Sequence, residues 1–139
     1  MREILFRGKR LGNGDWVEGY LIHDEYCNTF IPYIGYLMGD DTDVAEVDLA
    51  TVGQFTGLYD KNGKKIFEGD ICRVCLDPEI CTAYIEYDER TASFNLRYNE
   101  GQCNTFLDMQ LAKNRVGDRV WVEVIGNIHD NPELLEVDE

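Results

Sequence analysis

Five cysteines, two histidines and 27 carboxylates are the groups through which this 139-residue chain could do chemistry. Cys72-Arg73-Val74-Cys75 has the C-x-x-C spacing of a metal or redox pair, and Cys81 follows six residues later. A zinc ribbon places such a pair on a tight turn so that both thiolates face one ion. Here the pair lies in Ile71-Cys72-Arg73-Val74-Cys75-Leu76, a β-branched run that reads as a strand. Residues three apart on a strand point to opposite faces, so the two sulfurs would diverge. The context favours Cys72, Cys75 and Cys81 as small buried hydrophobes over a metal site. A redox pair would need a helix after the motif, and none is legible. Cys27 and Cys103 make the count odd, which argues against a disulfide framework and for reduced thiols.

His23 stands beside Asp24-Glu25 and His129 beside Asp130, but neither pair adjoins a nucleophile elbow or a glycine-rich oxyanion turn. The expectation is that the protein is not an enzyme. Gly53, Gly57, Gly63 and Gly69 lack the strand-to-helix context of a phosphate loop, so no cofactor is expected. Taking Asp41 as the first position of a calcium loop puts Asp43 at the third. Glu46 then falls where glycine belongs and Val52 where the bidentate Glu belongs, so the acidic stretch Asp40–Asp48 reads as a solvated loop.

Lysines cluster at Lys61, Lys64 and Lys65, with a second basic group at Arg7, Lys9 and Arg10. Phe6, Phe55, Tyr59 and Phe67 lie nearby, so a basic patch with stacking rings could hold a single strand. The net charge of −14 opposes that reading, and 22 of the 27 acids follow Gly39. The same surplus could instead imitate a nucleic-acid backbone, with Asp40–Asp48 and the tail Asp130, Glu133, Glu136, Asp138 and Glu139 as its surfaces. Plain solubility explains it as well. No apolar run approaches the roughly 20 residues of a membrane span, and no apolar signal segment follows Met1-Arg2-Glu3. A cytoplasmic protein with no membrane partner is expected.

The elements that would position these groups are mostly strands. Ile4 and Phe6, then Trp16, Glu18, Tyr20 and Ile22, then Phe94, Leu96 and Tyr98, then Val120, Val122 and Val124 follow a period of two. Turn formers separate the runs: Gly12-Asn13-Gly14-Asp15, Asp60-Lys61-Asn62-Gly63, Glu68-Gly69-Asp70, Asp88-Glu89-Arg90 and Asn99-Glu100-Gly101. Asn-Gly is a strong hairpin signal because both residues tolerate positive φ. The pattern predicts a mainly antiparallel β domain, a small barrel or sandwich, and the tight hairpins leading into Gly69-Asp70 point to a small SH3-like β-barrel core. An N-terminal β segment, residues 1–50, would end in the acidic loop, and the barrel would occupy residues 51–139, the two either separate or intertwined as one domain. Thr105 to Lys113 could make a turn or two of helix. Asn131-Pro132-Glu133-Leu134-Leu135 reads as an N-cap, a proline at the first helical position and an acid in the first turn of a short C-terminal helix.

The central block resembles the signature of the YopX family, proteins carried by bacteriophages and prophages. It runs Thr51-Val52-Gly53-Gln54-Phe55-Thr56-Gly57-Leu58, Asp60-Lys61-Asn62-Gly63-Lys64 and Ile66-Phe67-Glu68-Gly69-Asp70-Ile71. Met1–Lys9 with Trp16–Ile22 and the end Val124–Leu135 are similar to the family too, and the three blocks bracket nearly the whole chain. The resemblance implies a largely β, SH3-like core and a bacterial host cell, and it carries no catalytic assignment. The shared residues Gly53, Thr56, Gly57, Asp60, Asn62, Gly63, Glu68, Gly69, Asp70, Gly126, Asn127, Asn131 and Pro132 are turn formers and small residues, the profile of a conformational signature. The expected function is a phage accessory protein that binds another macromolecule, a protein or a second copy of itself. An acidic nucleic-acid mimic and a single-strand binder stand as alternatives.

Overall fold

The computed structural model describes residues 3–22, 33–38, 41–76, 79–98, 105–106 and 120–135. The described residues form two antiparallel sheets and divide into two compact units, Met1–Phe55 and Thr56–Glu139.

In the first unit β1 (Phe6–Lys9), β2 (Trp16–Ile22), β3 (Tyr33–Met38) and β4 (Asp41–Glu46) pair in sequence order, and the start of β5 (Gly53–Tyr59) adds to the far side of β1. The period of two seen in the sequence sorts the faces. Phe6, Gly8, Val17 and Gly19 share the inner face, where Val17, Ile34, Ala45 and Val47 are buried. Glycine is required at position 19 by a close approach of two strands. A Cβ there would stand 1.9 Å from the Gly35 carbonyl oxygen. Gly8 is similar but milder, its Cβ meeting Val47 at 3.0 Å. The end of β4 returns onto the end of β1: Arg10 bridges Val47, Leu11 donates to the Glu46 carbonyl (3.0 Å) and Asp48 to the Lys9 carbonyl (2.9 Å).

The second unit takes the rest of β5 with β6 (Lys65–Phe67), and its own sheet has the order β10-β9-β8-β7-β11. These strands are β7 (Asp70–Leu76), β8 (Ile80–Asp88), β9 (Ser93–Tyr98), β10 (Thr105–Phe106) and β11 (Val120–Asn127). Its core is the inward set Ile66, Cys72, Val74, Ala83, Ile85, Leu96, Tyr98 and Val122, with Phe94, Val120 and Val124 against it. The strand faces read from Phe94–Tyr98 and Val120–Val124 are the observed ones.

Four expectations need correction. No closed barrel forms among the described residues; the strands lie in sheets with edges. Turns dictate which sequential strands are neighbours, but closure depends on pairing distant strands, which local turn chemistry does not encode. The acidic stretch is not a loop, because Asp41–Glu46 pairs with β3 through its whole length. Its Val44 and Ala45 supply the alternation, and the carboxylates ride on a strand edge. The C-terminal helix is a single 3-10 turn, Pro132–Leu135. Asn131 does not cap onward; its Oδ1 accepts the Asn127 N–H (3.3 Å), and its carbonyl accepts the Leu134 N–H (3.0 Å). Leu134 is 36% exposed, so little apolar burial drives a longer helix. Thr105 and Phe106 are strand residues, and the remainder of the expected turn to Lys113 lies outside the described residues. No helix among the described residues is long and apolar enough to cross a membrane.

Candidate functional site

The signature carboxylates are buried, and main-chain donors surround them. Asp60 is 5% exposed; its Oδ1 accepts the N–H groups of Asn62 (2.9 Å) and Lys64 (2.8 Å), and its Oδ2 accepts Val124 N–H (2.9 Å) of β11. Asp60 N–H donates to the Lys64 carbonyl (2.8 Å), Gly63 N–H to the Asp60 carbonyl (3.0 Å) and Lys61 N–H to the Val122 carbonyl (2.9 Å). One side chain thus closes the Asn62-Gly63 turn and ties it to a strand 64 residues away. Charge-assisted bonds of this kind are the strong class. Asp70, 1% exposed, accepts Phe67 N–H (2.8 Å) and so fixes the Glu68-Gly69 corner. Gly57, Gly63 and Gly69 all have φ between 81° and 90°, the left-handed region that favours glycine. Thr56 Oγ1 donates to the Ile66 carbonyl (2.7 Å), and Gly53 is buried at the start of β5. Asn127 Oδ1 receives the N–H groups of His129 (3.0 Å) and Asp130 (2.9 Å), and Pro132 opens the final turn. A Cβ on Gly126 would lie 2.6 Å from Asn131 Oδ1. The signature is a set of corners.

The expected lysine patch is partly consumed. Lys61 Nζ lies 3.3 Å from Glu123 Oε2 and 4.0 Å from the centre of the Trp121 ring, while Lys64 is exposed. Phe55 and Phe67 are each 2% exposed, so neither ring can stack on a base. The two basic groups fall in different units. Cys72 is buried on the core face of β7 and Cys75, three residues on, faces the other way; Cys81 packs against the core from β8. Among the described residues no cluster of three metal-ligating side chains occurs. His23 and Glu136–Glu139 lie outside the described residues.

What the structure does assemble is in the first unit, around the basic group Arg7, Lys9 and Arg10. On the outer face Lys9 is opposite Trp16 and Arg7 opposite Glu18. The Arg7 guanidinium lies 4.7 Å and the Lys9 ammonium 5.6 Å from the centre of the Trp16 ring. The same face continues through Tyr20, Gly35 and Val44, directly opposite one another on β2, β3 and β4. Tyr20 is 68%, Val44 55% and Ile22 43% exposed. At the strand end Arg10 stacks 5.0 Å over Tyr36 and donates to its hydroxyl, which in turn donates to Asp43 Oδ2 (3.3 Å). These residues border a cavity of about 250 Å³ between the β1–β2 turn and β4. The alternation of Trp16, Tyr20 and Ile22 was the signal for this face, but its partners on β3 and β4 were not legible. In the second unit Tyr84 is raised above its usual phenol range by burial and then by Glu86, against a lowering by Arg97.

Comparison with solved structures finds protein EF1440 from Enterococcus faecalis, a crystal structure 26% identical in sequence. The match covers 98% of this chain and 100% of that one, with a TM-score of 0.58. Comparison with curated proteins finds no match. The family model described as YopX protein matches residues 5–136, a span that contains every corner described above, and the chain belongs to the YopX family.

Proposed function

We propose that this is a non-catalytic accessory protein of phage or prophage origin that acts by binding another protein in the cytoplasm of a bacterial host. The observation that carries the reading is the outer face of the first unit. Tyr20, Ile22 and Val44 stand exposed beside a Trp16 ring bracketed by Arg7 and Lys9. Aromatic residues and arginine are enriched at protein interfaces, and tryptophan, tyrosine and arginine supply most hot spots. The signature residues support the reading from the other side, since Asp60, Asp70 and Asn127 use their acceptors on main-chain N–H groups. The tight turns feeding Asp70 and β7 agree with an SH3-like corner, and the open strand edges with self-association.

The test is photo-crosslinking in host extract from a reactive group placed at Tyr20, a position exposed enough to change without loss of fold. A discrete protein adduct, either a host protein or a second copy of the chain, is expected, reduced at least about tenfold by Trp16→Ala. Salt-sensitive retention of oligonucleotides, lost on charge reversal of Lys61, Lys64 and Lys65, would instead establish the single-strand reading.

A further inference from the structure

β4 is the last strand of its sheet, and among the described residues only its end is covered. The Glu46 carbonyl accepts Leu11 N–H across the outer edge, and Val47 and Asp48 are held by Arg10 and Lys9. By the period of two, the main-chain groups of Val44 and Thr42 point the same way as those of Glu46. Among the described residues, no strand pairs with that edge from Asp41 to Ala45. The Val44 N–H is covered locally, by Asp43 Oδ1 of its own strand at 2.8 Å. Beside this edge lies the cavity of about 250 Å³, lined by Leu11, Gly12 and Asn13 of the β1–β2 turn as well as by β4. That is below the roughly 300–1,000 Å³ of small-molecule pockets and suits the end of a peptide. Arg10 borders the cavity beside that turn. Among the described residues its guanidinium has one side-chain acceptor, the Tyr36 hydroxyl, and no carboxylate within ion-pair reach.

From these placements we infer that the groove takes the C-terminal end of an extended protein segment, added parallel to β4 with its terminal carboxylate on Arg10. Strand addition supplies main-chain bonds along an edge of about 16 Å, enough for roughly four residues. A strand laid along this edge towards Glu46 meets the β1–β2 turn where the edge is already bonded, so it has to end there. The guanidinium fork matches a carboxylate in two parallel bonds. A phosphate dianion is the poorer fit, because Asp43 and Glu46 border the same cavity. Asp43 acts as an internal competitor: it covers the Val44 donor and draws the Tyr36 hydroxyl that Arg10 bonds.

The inference rests on the protein-binding reading and names a second, separate contact for it. Its test is NMR titration of the full chain with an N-acetylated threonine–valine–threonine–valine peptide, as the free acid and as the C-terminal amide. The acid is expected to shift the amides of Leu11 and Val44 and to bind about tenfold more tightly than the amide. Arg10→Gln should erase that preference, and Asp43→Ala should tighten binding roughly three- to tenfold by removing the competitor. Equal binding of acid and amide by the unmodified protein overturns the proposal, as does weaker binding by Asp43→Ala. A crosslink from Tyr20 with no acid preference would leave the broader reading standing and remove this groove alone. An acid preference with no crosslink would leave the groove and protein binding standing and remove the Tyr20 face alone.

Discussion

Two hairpin turns in this protein carry the same dipeptide and serve opposite ends. Asn62-Gly63 is held from within: Asp60 receives three main-chain N–H groups, one from a different strand of its unit, and is nearly inaccessible. Asn13-Gly14 is held mainly by its own neighbours, with Gly14 donating to Arg10 (3.0 Å), Arg10 to Asp15 (2.9 Å) and Asp15 to Asn13 Oδ1 (3.0 Å); one further bond, from Leu11 to the Glu46 carbonyl (3.0 Å), reaches β4. Leu11 in that turn is 51% exposed, and the turn borders the Arg10 cavity. The contrast separates architecture from availability. A turn whose side chains satisfy buried backbone is conformational by necessity, while a turn bonded mainly through its own exposed backbone leaves its surroundings open to a ligand.

The sharpest way to break the contrast is Asp60→Ala. It strands three donors, two of them in the turn and one on β11, and should cost about 3–5 kcal/mol in urea unfolding. Asn13→Ala should cost no more than about 1 kcal/mol, since one exposed bond is lost to water. Equal losses would mean that both turns are architectural. Gly19→Ala comes next, at about 2–4 kcal/mol, because the added Cβ meets the Gly35 carbonyl and β2 must move from β3. Loss of amide-exchange protection confined to β2–β4 would show that the units respond separately. Smaller is Glu123→Gln, expected to cost under about 1 kcal/mol, since the Lys61 pair is about a third exposed and its cation keeps the Trp121 ring. Trp121 emission should change with little shift in the unfolding midpoint. Smallest is Tyr84. Its folded pKa is raised, so the neutral phenol is favoured in the fold and the contribution is complete below the unfolded value near 10. Stability should fall as pH rises beyond 10, and Tyr84→Phe should reduce that slope.

Much of the second unit was legible along the chain. The hairpin at Asn62-Gly63, the corner at Gly69-Asp70, the core faces of β9 and β11 and the divergence of Cys72 from Cys75 all follow from spacings of one to four residues. The first unit was less legible. Its acidic stretch read as a loop because charge at Asp41, Asp43 and Glu46 masked the alternation of a half-exposed edge strand. The expected helix after Asn131 had the right cap and the right proline, yet Asn131 bonds back to Asn127 and the turn ends at Leu135. Arg10 was visible only as one of three bases, because Tyr36 and Asp43, 26 and 33 positions on, give it its setting.

The amino-acid sequence by itself determined the β character, the positions of the tight turns and membership of the YopX family, since all three rest on local backbone preference and on residues near one another in the chain. Only the tertiary structure decided that Asp60 is a strut and Lys61 is occupied. It alone decided that two sheets form in place of a closed barrel, and that Arg10, Tyr36 and Asp43 meet at one strand edge. Those outcomes depend on which distant strands pair. That pairing is chosen by burial and hydrogen-bond satisfaction summed over a whole unit, a quantity no short stretch of sequence carries.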